Sequence, residues 1–155
     1  MPEAFAQNQT LQGRVLLVLA AWGALNLVGG GIIALRGSDQ WQSFGQVCAA
    51  WGIINLLIGG IQTFTQRGAN VPPSLSTALA GAVVNGRIIT GFWVTDFATI
   101  LIGIFFLAPQ IAIRSASLQG LGKGLIVQGI GLGLIDTVLF FANTGYTQQL
   151  VRLVQ

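Results

Sequence analysis

The sequence contains no histidine, a single cysteine and very few charged residues. The absence of histidine removes the commonest general base and the usual imidazole ligand of metals and haem. Cys48 cannot form a disulfide within the chain, and because it lies in an apolar run we expect a small buried hydrophobic residue. We therefore predict no catalytic residues and no metal site, and we interpret the chain as a non-enzymatic protein.

Charged residues make up 7% of the chain, whereas hydrophobic residues make up 53% and the mean hydropathy is +0.75. A soluble domain carries about 25% charged residues, so this composition could not cover a water-facing surface. The net charge of +3 comes from basic residues spread along the chain without a patch, which argues against nucleic acid as a partner. The composition indicates an integral membrane protein surrounded by the lipid bilayer.

Four apolar stretches are long enough to cross a bilayer, which takes about 20 residues. They cover residues 15–35, 44–64, 88–108 and 124–144. The sequence therefore predicts an all-α fold, a bundle of four transmembrane helices. Residues 14–147 form its single domain, between a polar N-terminal segment (1–13) and a short tail (148–155). Pro109 predicts a stop or a kink after the third span.

The connection between the second and third spans is the longest and carries a helical pattern of its own. Val71-Pro72-Pro73-Ser74 is typical of a stop followed by a helix N-cap at Ser74. Apolar side chains then follow on one helical face, at Leu75, Ala78, Leu79, Ala82 and Val83. Two alternatives fit this pattern: a short helix in the membrane interface, or an extension of the third span.

The orientation of the bundle follows from its basic residues, because an even number of spans places both termini and the middle connection on one side. That side carries Arg14, Arg67, Arg87 and Arg152, and the other carries Arg36, Arg114 and Lys123. Basic residues accumulate on the cytoplasmic side of membrane proteins. We therefore predict that the termini lie in the cytoplasm or its equivalent.

The first two spans repeat one another at a constant offset of 29 residues. In both copies the pattern is Ala-Ala-Trp-Gly-x-x-Asn-Leu followed by a glycine pair, so that Trp22, Asn26 and Gly30 recur as Trp51, Asn55 and Gly59. Trp, Asn and Gly fall at i, i+4 and i+8 and share one helix face. Small residues and amides hold helices together in lipid. We predict that Asn26 and Asn55 face each other or a common partner.

The third and fourth spans each contain a carboxylate, Asp96 and Asp136, and no span contains a lysine or arginine. Counting residues from the span ends puts both carboxylates about 12 Å from the side of the termini, in one layer with Asn26 and Asn55. Two interpretations compete. The four groups form a hydrogen-bonded belt that sets helix register, or they form a site for a proton, a cation or a small ligand.

The Ala-Trp-Gly-x-x-Asn-Leu hairpin, together with Gln128-Gly129 ahead of Asp136, resembles a family of small four-helix bacterial membrane proteins of unknown function. The resemblance covers residues 15–143 and implies the fold but no activity. In the fourth span, Gly129 and Gly133 form a G-x-x-x-G pair, which predicts a close helix contact.

We expect an accessory or scaffolding subunit that packs against a larger membrane complex or a second copy of itself, since the sequence offers helix-packing chemistry and short loops. The high Gln and low Lys content is similar to that of cyanobacterial membrane proteins, which favours a photosynthetic or respiratory complex in a thylakoid or bacterial inner membrane. No cofactor is predicted with certainty, but Asn, Gln or Asp can ligate chlorophyll, so chlorophyll or carotenoid contacts fit the sequence. The alternative is a small oligomeric transporter or a proton or cation conduit that uses Asp96 and Asp136.

Overall fold

The computed structural model describes residues 2–67, 71–72, 74–112, 115–153 and 155. Within these ranges the chain is almost entirely helical and has no strand. The helices are α1 (Pro2–Arg36), α2 (Asp39–Arg67), α3 (Leu75–Leu107), α4 (Pro109–Ala112) and α5 (Ala116–Arg152). All but the four-residue α4 are long and apolar enough to cross a membrane. The predicted all-α fold with four membrane-crossing helices is therefore confirmed.

The long helices extend well beyond the apolar stretches. α1 includes most of the polar segment 1–13, and α5 continues through the tail to Arg152. At 1.5 Å per residue these helices are about 44–56 Å long, whereas the hydrocarbon core of a bilayer is about 30 Å thick. Packing supports the extra turns, because Phe5 near the start of α1 contacts a small hydrophobic cluster that includes Tyr146 and Leu150 of α5.

The middle connection ends in an extension of the third span. α3 is continuous over its whole length, so the part of the connection that the structure describes contains no separate interfacial helix. Ser74 is the N-cap, as predicted, and its Oγ accepts a hydrogen bond from the backbone N–H of Thr77 at 3.2 Å. The helix stays continuous because Ala78 and Ala82 of its first turns are buried against α5. Pro73, part of the predicted stop, lies outside the described residues, as does Arg114.

The other two connections are short. Gly37 and Ser38 join α1 to α2 as a tight hairpin. α3 ends at Leu107, and the backbone N–H of its cap residue Ala108 donates to the carbonyl of Phe105 at 3.1 Å. Pro109 then begins the single turn of α4, so the predicted stop at this proline is confirmed.

α5 is the central helix of the bundle. Among the described residues it makes close backbone contacts with α1, α2 and α3, whereas α3 approaches only α5 and α4. α1 and α2 form an antiparallel hairpin on one side of α5, and α3 packs on another side. The helix that carries Asp96 is thus held by one long neighbour, and the helix that carries Gln128 by three.

Candidate functional site

The first polar contact joins α1, α2 and α5 around Gln128. Gln128 Nε2 donates a hydrogen bond to Asn26 Oδ1 at 2.5 Å, and Asn26 Nδ2 donates to the backbone carbonyl of Trp22 at 2.8 Å. Both amide side chains are buried, and Gln128 has no exposed surface. Cys48 of α2 lies beside Gln128. The partner of Asn26 is therefore an amide of α5 rather than the other copy of the repeat.

Asn55, the repeat equivalent of Asn26, is also buried, with 2% of its surface exposed. Its Nδ2 has no hydrogen-bond partner among the described residues, and the same holds for Trp22 Nε1 and Gln128 Oε1. A buried polar atom without a partner costs on the order of 1–3 kcal/mol. The bundle therefore buries two donors and one acceptor that have no hydrogen-bond partner among the described residues.

Glycines bring the backbones of α1 and α2 into contact beside these amides. The closest approaches involve Gly23 and Gly30 on α1 and Gly45 and Gly52 on α2, seven residues apart on each helix. A Cβ atom at position 30 would lie 2.7 Å from the backbone nitrogen of Ala49 and 2.8 Å from the carbonyl oxygen of Gly45. Gly30 was predicted as a packing residue, whereas Gly23, Gly45 and Gly52 were not singled out.

The two copies of the repeat occupy different environments. A Cβ atom at Gly59, the equivalent of Gly30, would lie 3.9 Å or more from its neighbours, which is ordinary packing. Trp22 and Trp51 both pack against the main hydrophobic cluster, but only the ring of Trp22 lies directly over a glycine of α5, Gly131. That cluster consists of Val15, Leu16, Leu19, Leu132 and Ile135.

The second polar contact joins α3 and α5. The side chains of Asp96 and Asp136 lie close to each other. Asp96 is buried, with 6% of its surface exposed, and its Oδ2 has no partner among the described residues. Asp136 is half-buried. Two ionised carboxylates this close would repel each other strongly in a low dielectric.

The two polar contacts lie at different depths along α5. Gln128 and Asp136 are eight residues apart, which corresponds to about 12 Å along the helix axis. Asn26 contacts α5 at the first of these positions and Asp96 at the second. The polar groups therefore form two separate contacts instead of one layer. Counting from the span ends could not show this, because the helices extend unequally beyond the apolar stretches.

The glycines of the predicted G-x-x-x-G pair contribute unequally to the α3–α5 contact. A Cβ atom at Gly129 would lie 2.6 Å from Ile100 Cγ1 and 2.7 Å from the carbonyl oxygen of Asp96. At Gly133 the nearest atom, Asp96 Cβ, is 3.8 Å away. Gly129 therefore permits the close approach of the backbones, and Gly133 leaves room for the carboxylate side chain.

Further polar contacts between α3 and α5 were not singled out from the sequence. Asn143 Nδ2 donates to the carbonyl oxygen of Ala82 at 3.1 Å, and Asn85 Nδ2 donates to Asn143 Oδ1 at 3.2 Å. Nearer the carboxylate pair, Trp93 Nε1 donates to Thr137 Oγ1 at 3.2 Å. Asn85 falls in the predicted middle connection and Asn143 at the end of a predicted span, so neither stood out as an intramembrane polar residue.

Comparisons with known proteins identify one family. A sequence model of a family of unknown function, DUF6992, matches residues 18–137, which include both polar contacts. No curated protein and no solved structure matches the chain. The predicted resemblance to an uncharacterised family is confirmed, and the family's description names no activity, partner or ligand.

Proposed function

The chain belongs to the DUF6992 family, and we propose that it is a non-enzymatic accessory or scaffolding subunit that packs against a larger membrane complex. The observation that carries this proposal is the surface of α3 that faces away from α5. α3 has one long neighbour within the chain, so most of its circumference is free for contact with lipid or with another protein.

Small residues on that outer surface favour a protein partner. Gly91, Thr95 and Ala98 are all exposed, and no atom lies within 4 Å of the position that a Cβ would occupy at Gly91. Thr95 Oγ1 donates to the carbonyl oxygen of Gly91 at 3.0 Å, so the hydroxyl is satisfied within the helix. Small residues spaced in this way let two transmembrane helices approach closely, whereas lipid chains gain nothing from them.

The buried polar groups support the same interpretation. Two polar pairs each join two helices inside the bundle. They are Gln128 with Asn26 and Asp96 with Asp136. Such contacts set the register of helices in a membrane. The partner that we propose is a photosynthetic or respiratory complex of a bacterial inner membrane or thylakoid. We propose this kind of complex because the sequence is rich in Gln and poor in Lys. We also propose that the chain contacts chlorophyll or carotenoid within that complex.

The test is extraction of the tagged protein in a mild detergent, followed by native electrophoresis and mass spectrometry of the co-migrating chains. We expect the wild-type protein in a large complex. The double variant Gly91→Leu/Ala98→Leu should run as a small species, because leucine side chains would prevent close approach at this surface. Gly60→Leu on α2 is the matched control, since nothing lies within 4 Å of a Cβ there either.

The proposal fails if the wild-type protein runs as a small homogeneous species under the mildest extraction. It also fails if the α3 double variant and the Gly60→Leu control keep the same partners. Retention of the complex by the control alone would place the docking surface on α3, as proposed.

A second candidate function, a proton or cation conduit, is favoured by the contact between Asp96 and Asp136. If the pair only holds helices together, Asp96→Asn should fold normally, because an amide keeps a donor and an acceptor. Wild-type protein in liposomes should then give no more proton flux than empty liposomes. The conduit would be favoured over the accessory subunit if the wild-type protein gave a proton flux that Asp96→Asn abolishes. The control variant Asp39→Asn, which changes an exposed acid, should leave that flux unchanged.

A further inference from the structure

An open groove of about 700 Å³ runs between α3 and α5 on the side of the chain termini. One arginine from each helix lines it, Arg87 from α3 and Arg152 from α5. Val83 and Phe140 contribute apolar wall, and the side chains of several threonines and glutamines lie between them. The groove is thus apolar in part and positively charged in part.

Among the described residues, neither arginine has an acidic side chain as a partner. The four acidic side chains are Glu3, Asp39, Asp96 and Asp136. None of them lines the groove, and within the described ranges neither arginine makes a hydrogen bond or an ion pair. Both guanidinium groups are exposed and permanently charged. The groove therefore offers an anion two arginines that have no ion-pair partner among the described residues.

The antiparallel arrangement of the two helices inclines these side chains toward one another. Side chains of an α-helix lean toward its N-terminus. Asn85 of α3 contacts Asn143 of α5, so the start of α3 lies beside the end of α5. Arg87 therefore leans toward the level of Arg152, and Arg152 leans back toward the level of Arg87. Both side chains therefore lean toward the middle of the groove.

The groove crosses the depth at which lipid headgroups meet acyl chains. Arg87 directly precedes the apolar stretch 88–108, and Phe140 lies within the apolar stretch 124–144. Arg152 and Gln155 line the outer end of the groove, beyond the second stretch. Arg87 lies at nearly the level of Phe140, because Asn85 of α3 contacts Asn143 of α5, and its side chain leans outward from there toward Arg152. The apolar side chain of Phe140 thus lies at the inner end of the groove, with both charges toward its outer end, which is the pattern that an anionic lipid requires.

We propose that this groove binds one anionic membrane lipid, with its negatively charged headgroup held by Arg87 and Arg152 and an acyl chain that runs inward along Phe140. A free phosphate would satisfy the two arginines but would leave the apolar inner wall without a role. General attraction of basic residues to an anionic membrane surface is a different effect, because it would act equally at Arg14, an exposed arginine on the same side that does not line the groove.

The test uses native mass spectrometry of the full chain, delipidated in detergent and then supplied with phosphatidylglycerol or phosphatidylcholine. We expect one retained phosphatidylglycerol per chain and weaker retention of the zwitterionic lipid. Each arginine near an anionic headgroup contributes about fivefold, so R87Q/R152Q should retain phosphatidylglycerol roughly 25-fold less well. R14Q removes the same type of charge on the same side and should change retention little. R87K/R152K should keep most of the preference, which separates loss of charge from loss of fold.

Equal losses in R14Q and R87Q/R152Q would overturn the proposal in favour of general surface attraction. Displacement of phosphatidylglycerol from the wild-type protein by millimolar inorganic phosphate would overturn the lipid assignment and leave an anion site. These wild-type measurements decide the question even if R87Q/R152Q does not fold, because a lipid site must prefer phosphatidylglycerol over phosphatidylcholine and resist inorganic phosphate.

Discussion

Three consecutive glycines in α1 allow a direct test of the backbone contact between α1 and α2. Gly30 faces α2, where a Cβ atom would meet the backbone of Gly45 and Ala49. Gly29 and Gly31 have no atom within 4 Å of the corresponding position. Replacement of each glycine by alanine adds the same methyl group to the same helix. The three variants therefore differ only in whether that methyl group meets a neighbouring helix.

The expected magnitude follows from the distances. A Cβ atom at position 30 would lie 2.7 Å from the Ala49 nitrogen and 2.8 Å from both the Gly45 oxygen and Cys48 Cβ, whereas ordinary contacts begin at 3.4 Å. Two of these neighbours are backbone atoms, so the helices themselves must separate by several tenths of an ångström. Overpacking of this kind costs about 1–3 kcal/mol. Alanine regains about 0.5–1 kcal/mol of helix propensity over glycine.

Gly30→Ala should therefore destabilise the bundle by about 1–2 kcal/mol net, while Gly29→Ala and Gly31→Ala should be neutral or stabilise it by up to about 1 kcal/mol. The measurement is reversible unfolding in mixed micelles with an increasing fraction of dodecyl sulfate, followed by tryptophan fluorescence and circular dichroism. Equal unfolding midpoints for Gly30→Ala and Gly29→Ala would show that α1 and α2 do not meet at Gly30. The reasoning about all four glycines of this contact would then be refuted.

Two further predictions address the amide contact and the topology. Gln128→Leu removes the donor to Asn26 and should lower the unfolding free energy by about 0.6–2 kcal/mol in the same assay; a gain in stability would show that the unpaired Gln128 Oε1 costs more than the bond contributes. In a Cys48→Ala background, cysteines placed at Glu3 and Ser117, both exposed, should react with an impermeant maleimide from opposite sides of the membrane. Labelling of both from one side would rule out four crossings.

The four long helices could be predicted from the sequence because the bilayer imposes its thickness on any spanning segment. The N-cap at Ser74 and the stop at Pro109 could also be predicted, since each depends on the chemistry of nearby residues. The helical state of the outer turns of α1 and α5 could not be predicted from the sequence. Their helical state depends on packing of Phe5 against Tyr146 and Leu150, a contact between residues far apart in the chain.

The polar residues of the candidate site were recognisable individually, but their pairing was not. An asparagine or glutamine in an apolar span stands out by composition alone. Which helix it faces depends on the order of the helices around α5, and no local pattern encodes that order. Asn26 therefore pairs with Gln128 across 102 positions of sequence, whereas the repeat left open whether Asn26 faces Asn55 or a partner common to both.

The repeat gives the α1–α2 hairpin an approximate two-fold symmetry, which holds near its centre. Gly23 and Gly52 are equivalent by the offset of 29 residues, and each faces the other across the contact. Toward the loop, Gly30 faces Gly45 in an equally tight contact. If the symmetry were complete, the opposite end of the hairpin would contain a second contact of this kind.

That second contact is absent because the position equivalent to Gly45 is Leu16. Gly59, the equivalent of Gly30, lies beside the backbone of Leu16, and the distance from a Cβ at Gly59 to the Leu16 carbonyl oxygen would be 3.9 Å instead of the 2.8 Å between Gly30 and Gly45. The hairpin is therefore tight at its loop and wider toward the termini. Leu132 and Ile135 of α5 pack against Leu16 at this wider end. Leu16, in place of a glycine, thus widens the hairpin at the end where α5 contributes to the main hydrophobic cluster.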